Sequence, residues 1–219
     1  MFTVTEYFVS INGEGMRAGE PSVFIRFRGC NLCCSYCDTR WSCTDSAPAR
    51  LMSSDDLVDM VIKTGITNVT LTGGEPLLQK ELYVLTDMLL KCGRRVEIET
   101  NGSLPLDVLA SRQYRPAFTM DYKLPSSGME DKMCLKNFEL LKQRDTVKFV
   151  AGSREDLERA RTIIRQYDLT KRCHVLVSPV FGEIDPKEIV KFLIDNKLND
   201  VRLQLQLHKY IWEPNTRGV

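Results

Sequence analysis

From Pro21 onward, segments of strand character alternate with segments of helical spacing. The strand-like runs are PSVFIRFRG (21–29), NVTLTGG (68–74), RRVEIETNG (94–102), PAFTMDY (116–122), TVKFVAG (146–152), HVLVSPV (174–180) and DVRLQLQLHK (200–209). SSDDLVDMVIKTG (53–65) reads as a helix. Ser53 and Asp56 match a capping box, Leu57, Val58, Val61 and Ile62 form an apolar stripe, and Gly65 stops it. Pro76 to Cys92 and Met133 to Gln143 carry helical spacing, SREDLERARTIIRQY begins after the N-cap Ser153, and DPKEIVKFLIDNK places Pro186 in its first turn. The last strand alternates strictly, with Val201, Leu203, Leu205 and Leu207 on one face.

Strands separated by helices of this length imply βαβ units and a parallel sheet in an α/β fold. A full eight-fold barrel needs about 250 residues. This chain has 219, reads as a single domain without repeats or linkers, and places its first 20 residues outside the alternation. A reduced, partial (β/α)6-type barrel of mostly parallel strands is therefore expected, with a doubly wound open sheet as the runner-up. Five strands end in polar or glycine-rich clusters: TGGEP, ETNG, DYK, SPV and QLHK. Ligands of parallel α/β folds bind at the carboxyl ends of strands, so these clusters outline one rim around one site.

The net charge of +1 gives no nucleic-acid footprint and no polybasic patch for a membrane surface. No apolar run approaches the length of a membrane span, and MFTVTEYFVSING lacks the pattern of a secretory signal. A cytoplasmic location is expected.

Eight cysteines in such a chain point to metal or redox chemistry rather than to disulfides. Cys43, Cys92, Cys134 and Cys173 stand singly and read as small buried hydrophobes. The other four fall within FRGCNLCCSYCDTRW. A zinc site from Cys30, Cys33, Cys34 and Cys37 must close one tetrahedron with adjacent side chains that point apart. A ferredoxin-type run requires cysteine where Tyr36 stands. The set Cys30-x3-Cys34-x2-Cys37 gives three thiolates, which on a 4Fe-4S cluster leave one iron open to a reactant.

C-x3-C-x2-C with an aromatic residue before the last cysteine, followed by TGGEP, resembles the radical S-adenosyl-L-methionine superfamily. There the open iron chelates S-adenosylmethionine, and the reduced cluster cleaves it to a 5′-deoxyadenosyl radical. INGEGMRAGEPSVFIRFRGCNLCCSYCDT and QLHKYIWEPNTRGV further resemble the two ends of the 7-carboxy-7-deazaguanine synthases of clostridial type, with TGGEP and ETNG between. The resemblance covers nearly the whole chain. It implies a Mg2+-dependent ring contraction of 6-carboxy-5,6,7,8-tetrahydropterin, with loss of ammonia, on a route to queuosine and other 7-deazapurines. It also implies a homodimer, and flavodoxin or ferredoxin as electron donor.

Carried over residue by residue, the resemblance gives Cys30, Cys34 and Cys37 to the cluster and Thr39 to Mg2+. Tyr36, Cys37, Asp38, Gly73, Gly74, Glu99, Asn101, Asp121, Tyr122 and Lys123 fall to S-adenosylmethionine. Ile11, Asn12, Gly13, Glu14, Arg26, Thr72, His208 and the carboxylate of Val219 fall to the pterin, with segments 1–20 and 208–219 covering it. Asp121-Tyr122-Lys123 stands where many relatives have Ser-Pro-Lys, and Cys33 has no counterpart role. Two other readings share the cysteines: a glycyl-radical-enzyme activase acting on a protein, and a non-catalytic zinc-binding module.

Overall fold

The computed structural model describes residues 1–219. Nine strands form one sheet: β1 (Phe2–Ile11), β2 (Pro21–Phe27), β3 (Arg50–Met52), β4 (Asn68–Gly73), β5 (Arg95–Thr100), β6 (Ala117–Tyr122), β7 (Thr146–Ala151), β8 (His174–Pro179) and β9 (Val201–Leu203). Their order is β3-β1-β2-β4-β5-β6-β7-β8-β9. From β2 to β9 every pair is parallel, and the spatial order follows the chain order. A doubly wound sheet needs a reversal of strand order, and there is none here. Successive crossovers in one direction curl the sheet toward a barrel, which stays open because β3 and β9 are not paired.

The helices are α1 (Ser54–Thr64), α2 (Leu82–Lys91), α3 (Asp107–Ala110), α4 (Asn137–Leu140), α5 (Arg154–Gln166), α6 (Leu169–Arg172), α7 (Pro186–Asp195) and α8 (His208–Ile211). Ser53 and Asp56 form the expected capping box of α1. Its buried stripe is Leu57, Val58 and Val61, whereas Ile62 is exposed. Ser153 caps α5 by accepting from the Asp156 N–H.

Four expectations change. The first residues are not outside the sheet: β1 pairs antiparallel with β2 along most of its length and with the short β3. Pro76 to Cys92 divides into a 3-10 turn at Pro76–Leu78 and α2. Met133 to Gln143 keeps one helical turn, α4. The last strand stops at Leu203, because the chain then leaves β8 for the N-terminal loop: Gln204 accepts from the Gly15 N–H at 2.9 Å, and the Leu207 N–H donates to the Gly13 carbonyl at 3.0 Å.

Strand parity decides where the site is. On the helix-facing side, Val23, Ile25, Phe27, Val69, Leu71, Val96, Ile98, Phe118, Met120, Val147, Phe149, Val175 and Val177 join one apolar core. The alternate positions face inward and are largely polar, although many are equally buried: Ser22, Thr70, Thr72, Glu97, Thr119, Thr146, Lys148 and Ser178. A parallel sheet covered on both faces normally reads as continuous hydrophobic runs. Here the period-2 alternation survives because the inner face surrounds a polar cavity rather than a packed interior.

One buried ion pair ties the amino ends of β6 and β7 together. Asp145 accepts from the Arg115 guanidinium at 2.9 and 2.5 Å, from the Phe118 N–H at 3.0 Å and from the Lys142 N–H at 2.7 Å. Removing one member of such a pair strands a charge in low dielectric. Asp145→Ala should lower the unfolding free energy by about 3–5 kcal/mol, read from urea denaturation.

Candidate active site

A cavity of about 730 Å³ opens at the carboxyl ends of the parallel strands. Its wall includes the thiols of Cys30, Cys34 and Cys37, carried by the loop that follows β2. That loop has no regular structure, so its position rests on contacts with other segments. The Gly29 N–H donates to Ser42 O at 2.9 Å and the Cys30 N–H to Cys43 O at 3.2 Å. Ser35 donates to Ser127 O at 3.1 Å through its N–H and to Ser126 O at 2.6 Å through its hydroxyl. Arg40 donates to the Cys34 carbonyl at 2.8 Å.

The glycines of TGGEP press against this loop. A Cβ on Gly73 would overlap the Phe27 backbone, and one on Gly74 would overlap the Gly29 carbonyl. Glu75, fully buried, then joins its own turn to the end of β5. Its carboxylate accepts from the Leu77 N–H at 3.0 Å, the Thr100 hydroxyl at 2.8 Å and the Asn101 N–H at 2.7 Å. Asn101 in turn donates to Asn31 at 3.0 Å and to the Cys30 sulfur at 3.6 Å. Burial pushes the Glu75 carboxyl up to about 7 against those donors.

Among the thiols, hydrogen bonding from Cys43 brings Cys30 and Cys37 down to about 6. Burial raises Cys34. Cys43 is therefore no simple buried hydrophobe, as it lines the cavity beside the two cysteines. Cys173 is buried as expected, while Cys92 and Cys33 are exposed. Cys33 points away from the cavity that its three neighbours share.

Deeper in the cavity lies a chain of charges. Lys148 on β7 meets Glu14 at 2.8 Å and Asp121 at 3.2 Å, and Asp121 meets Lys123 at 2.9 Å. Burial alone would raise Asp121, but the two ammonium groups outweigh it and hold the carboxyl below its usual range. Burial lifts Glu99 to about 7, with Lys148 opposing and the Thr72 hydroxyl bonded to it. Arg26 gives its Nε to Glu6 at 2.6 Å, leaving its terminal nitrogens without a protein partner. Glu14 Oε1 and the Tyr36 hydroxyl are buried without partners. Phe8 and Phe24 stack at 4.9 Å as a flat apolar wall.

The opening is covered from the C-terminal side. His208 packs so closely on Gly13 that a Cβ there would overlap the imidazole. Burial lowers the His208 pKa. Lys209 stands 3.5 Å from Asp38, and the Arg217 guanidinium lies 4.3 Å from the centre of the Trp41 ring. Residues 214–219 line the cavity, Val219 among them.

The structure thus gathers Ile11, Gly13, Glu14, Arg26, Tyr36, Asp38, Thr39, Thr72, Gly73, Gly74, Glu99, Asn101, Asp121, Lys123, His208 and Val219 around the three cysteines. Two expected residues are not there. Tyr122 faces the helix side, its ring against Phe138 and Phe149 and its hydroxyl donating to Glu130 at 2.8 Å. Between inward Asp121 and Lys123, position 122 must point outward. Asn12 lies below the cavity, where it accepts from Thr70 at 2.8 Å and closes the loop through Gly19 and Glu20.

Residues 24–115 match the model of the Radical SAM superfamily. The 7-carboxy-7-deazaguanine synthase of Clostridium acetobutylicum is 52% identical over 219 residues, covering 100% of this chain and 99% of that protein. The chain belongs to the 7-carboxy-7-deazaguanine synthase family. Proteins of the same name from Methanospirillum hungatei (40% identical; 96% of this chain, 86% of that protein) and Chlorobaculum tepidum (36%; 99% and 96%) extend the likeness. The crystal structure of QueE from Escherichia coli shares the fold at a TM-score of 0.71, with 23% identity over 94% of this chain and 93% of that one.

Family membership makes the chain a radical S-adenosylmethionine enzyme, with a 4Fe-4S cluster and S-adenosylmethionine as cofactors. The residues present fit that pair. No three His, Cys, Asp or Glu side chains converge tightly enough to hold a single metal ion, yet three thiols face one cavity, as a cube of four irons requires. Tyr36 offers a buried, unpartnered hydroxyl beside them.

Sequence reasoning missed Lys148, Glu75 and Cys43. Inward parity on TVKFVA would have exposed Lys148, a buried cation in a strand. Its neighbour Glu99 gives a test. The folded state holds the Glu99 proton more tightly than the unfolded chain, so that contribution is complete below pH 4.5 and is lost as pH rises toward 7. Relative to wild type, Glu99→Gln should gain stability across that interval, by at most about 1.4 kcal/mol per pH unit in urea unfolding.

Proposed function

We propose that the chain converts 6-carboxy-5,6,7,8-tetrahydropterin to 7-carboxy-7-deazaguanine with release of ammonia and a requirement for Mg2+, on a route to queuosine. One observation carries the reading: free guanidinium nitrogens on Arg26 and an unpartnered acceptor on Glu14 share a cavity with the three thiols. A carboxypterin is anionic at one end, donor-rich at its amino edge and flat between. Arg26 suits the carboxylate, Glu14 Oε1 the amino edge, and the Phe8–Phe24 wall the ring.

Bound at Cys30, Cys34 and Cys37, the cluster with S-adenosylmethionine supplies radical hydrogen abstraction, while this chain's residues orient the reactants. Asp38, Asn101, Asp121 and Lys123 stand on the cysteine side with Gly73 and Gly74 and serve S-adenosylmethionine. The Thr39 hydroxyl, 3.8 Å from the Cys37 sulfur, is the Mg2+ ligand; hard cations prefer oxygen. Ile11, Gly13, Thr72 and His208 meet the pterin. Glu99, hydrogen-bonded to Thr72, serves S-adenosylmethionine from beside them. Lys148 holds Glu14 in place through their ion pair. With its pKa lowered, His208 is neutral near pH 7 and both donates and accepts hydrogen bonds. Residues 208–219 keep water off the reacting centre. A flavodoxin or ferredoxin donates the electron, and the chain works as a cytoplasmic homodimer.

Anaerobically reconstituted protein incubated with the carboxytetrahydropterin, S-adenosylmethionine and a reductant should form the deazaguanine acid by mass spectrometry, and faster with Mg2+. Absence of that product would refute the reading. Arg26→Ala should raise the pterin KM roughly 10- to 100-fold, matching about 1.5–3 kcal/mol for a charge-assisted contact. Cys34→Ala should abolish iron incorporation, whereas Cys33→Ala should retain it. Equal iron in both variants contradicts the three-thiol assignment.

A further inference from the structure

A second cavity, about 520 Å³, lies at the opposite end of the sheet. It is bounded by Arg95, Ala117, Thr146 and His174, the first residues of β5, β6, β7 and β8. The Asn12–Glu20 loop separates the two cavities. Gly13 and Glu14 face the cysteines, whereas Met16 and Arg17 face the base.

Five guanidinium groups converge on this base: Arg17, Arg94, Arg95, Arg115 and Arg144. Two carboxylates take three of them. Glu20 meets Arg17 at 3.3 Å and Arg95 at 3.6 Å, and Asp145 holds Arg115. Neither Arg94 nor Arg144 meets a carboxylate; Arg144 makes one contact, at 3.5 Å to the Arg115 carbonyl. The Nε atoms of Arg94 and Arg115 are buried with no acceptor, and the Arg115 side chain is only 5% exposed. A buried donor with no partner is costly, so the base carries positive groups that the chain itself leaves uncompensated. Leu90, Val96 and Ala117 give the same cavity an apolar side. Its volume greatly exceeds that of a lone phosphate and falls within the range of small-molecule sites, roughly 300–1,000 Å³.

We propose that this basal cavity binds a phosphorylated small molecule of mononucleotide size, with Arg94 and Arg144 holding the phosphoryl group and the apolar side receiving the remainder. Guanidinium groups bind phosphoryl oxygens in bidentate fashion, and the cavity supplies two that no protein carboxylate competes for.

The test is calorimetric titration of the reconstituted full chain, saturated with S-adenosylmethionine so that the upper cavity is filled. The probes are adenosine and guanosine 5′-monophosphates, pyrophosphate and inorganic phosphate. Saturable binding to wild type is expected, weakened at least tenfold in Arg94→Gln/Arg144→Gln, with S-adenosylmethionine binding unchanged. Tighter binding of a nucleotide than of pyrophosphate is expected, with the nucleoside as part of the ligand; pyrophosphate or phosphate binding as tightly as the nucleotides overturns the mononucleotide-sized ligand. Arg144→Gln alone, at an exposed position, keeps the test decisive if the double variant unfolds. No saturable binding of any probe, or binding indifferent to the substitutions, overturns the proposal.

Discussion

A sheet buried on both faces must account for every polar group it places inside, and the inner face of this one carries carboxylates and a lysine. Desolvation of each costs several kcal/mol unless an opposite charge stands within contact distance. Lys148 meets this cost with carboxylates from two segments: Asp121 on the neighbouring strand and Glu14 on the loop after β1. The same ion pair therefore does two things. It permits a lysine inside the barrel, and it draws the Asn12–Glu20 loop across the inner face, where Gly13 meets His208. The polar interior thus fixes the floor of the cavity, and the floor fixes the place of the C-terminal segment.

The upper wall follows a different logic. The cysteine loop contributes almost no regular hydrogen bonding, yet it carries the groups that need the most accurate placement. Its rigidity is borrowed from the strand ends beside it. Glu75 binds the end of β5 to the turn after β4, Asn101 passes that restraint to Asn31 and Cys30, and Gly74 lets the turn touch the Gly29 carbonyl. The glycine-rich motif acts here by bringing two backbones together, and its acidic residue acts as an anchor. Neither role requires contact with a ligand, although both glycines also line the cavity.

Much of this was legible in the sequence, and the omissions have physical causes. The seven parallel strands and four longer helices follow from periodicity and caps, because each has one face on the apolar core. Strand β1 escaped notice because its inner side lines a cavity through Glu6 and Phe8 while Val9 is exposed, so no clean alternation marks it. The strand expected through Leu207 ended early because its later partner is a loop, which leaves no periodic trace. Most site residues were found through resemblance; parity alone would have rejected Tyr122 and added Lys148. Cys43 was out of reach, since only the fold of the Thr39–Cys43 turn returns its thiol to Cys30 and Cys37.

The two sides of the cavity differ in how firmly they are held. Strands and the buried Glu75 hub make the walls, and each of those interactions is sheltered from water. The cover formed by residues 208–219 rests on fewer and weaker contacts. Lys209 and Asp38 form a long pair on a partly exposed carboxylate, which contributes about 0–1 kcal/mol. Arg217 over Trp41 adds about 0.5–1 kcal/mol at an exposed site. Tyr210 and Ile211 face solvent instead of the core. A cover held by so little opens at small cost, while the walls keep their geometry. An enzyme that must admit a substrate and then exclude water is served by that asymmetry: a weakly held cover over walls in which Arg26, Glu14 and Lys148 are fixed by ion pairs.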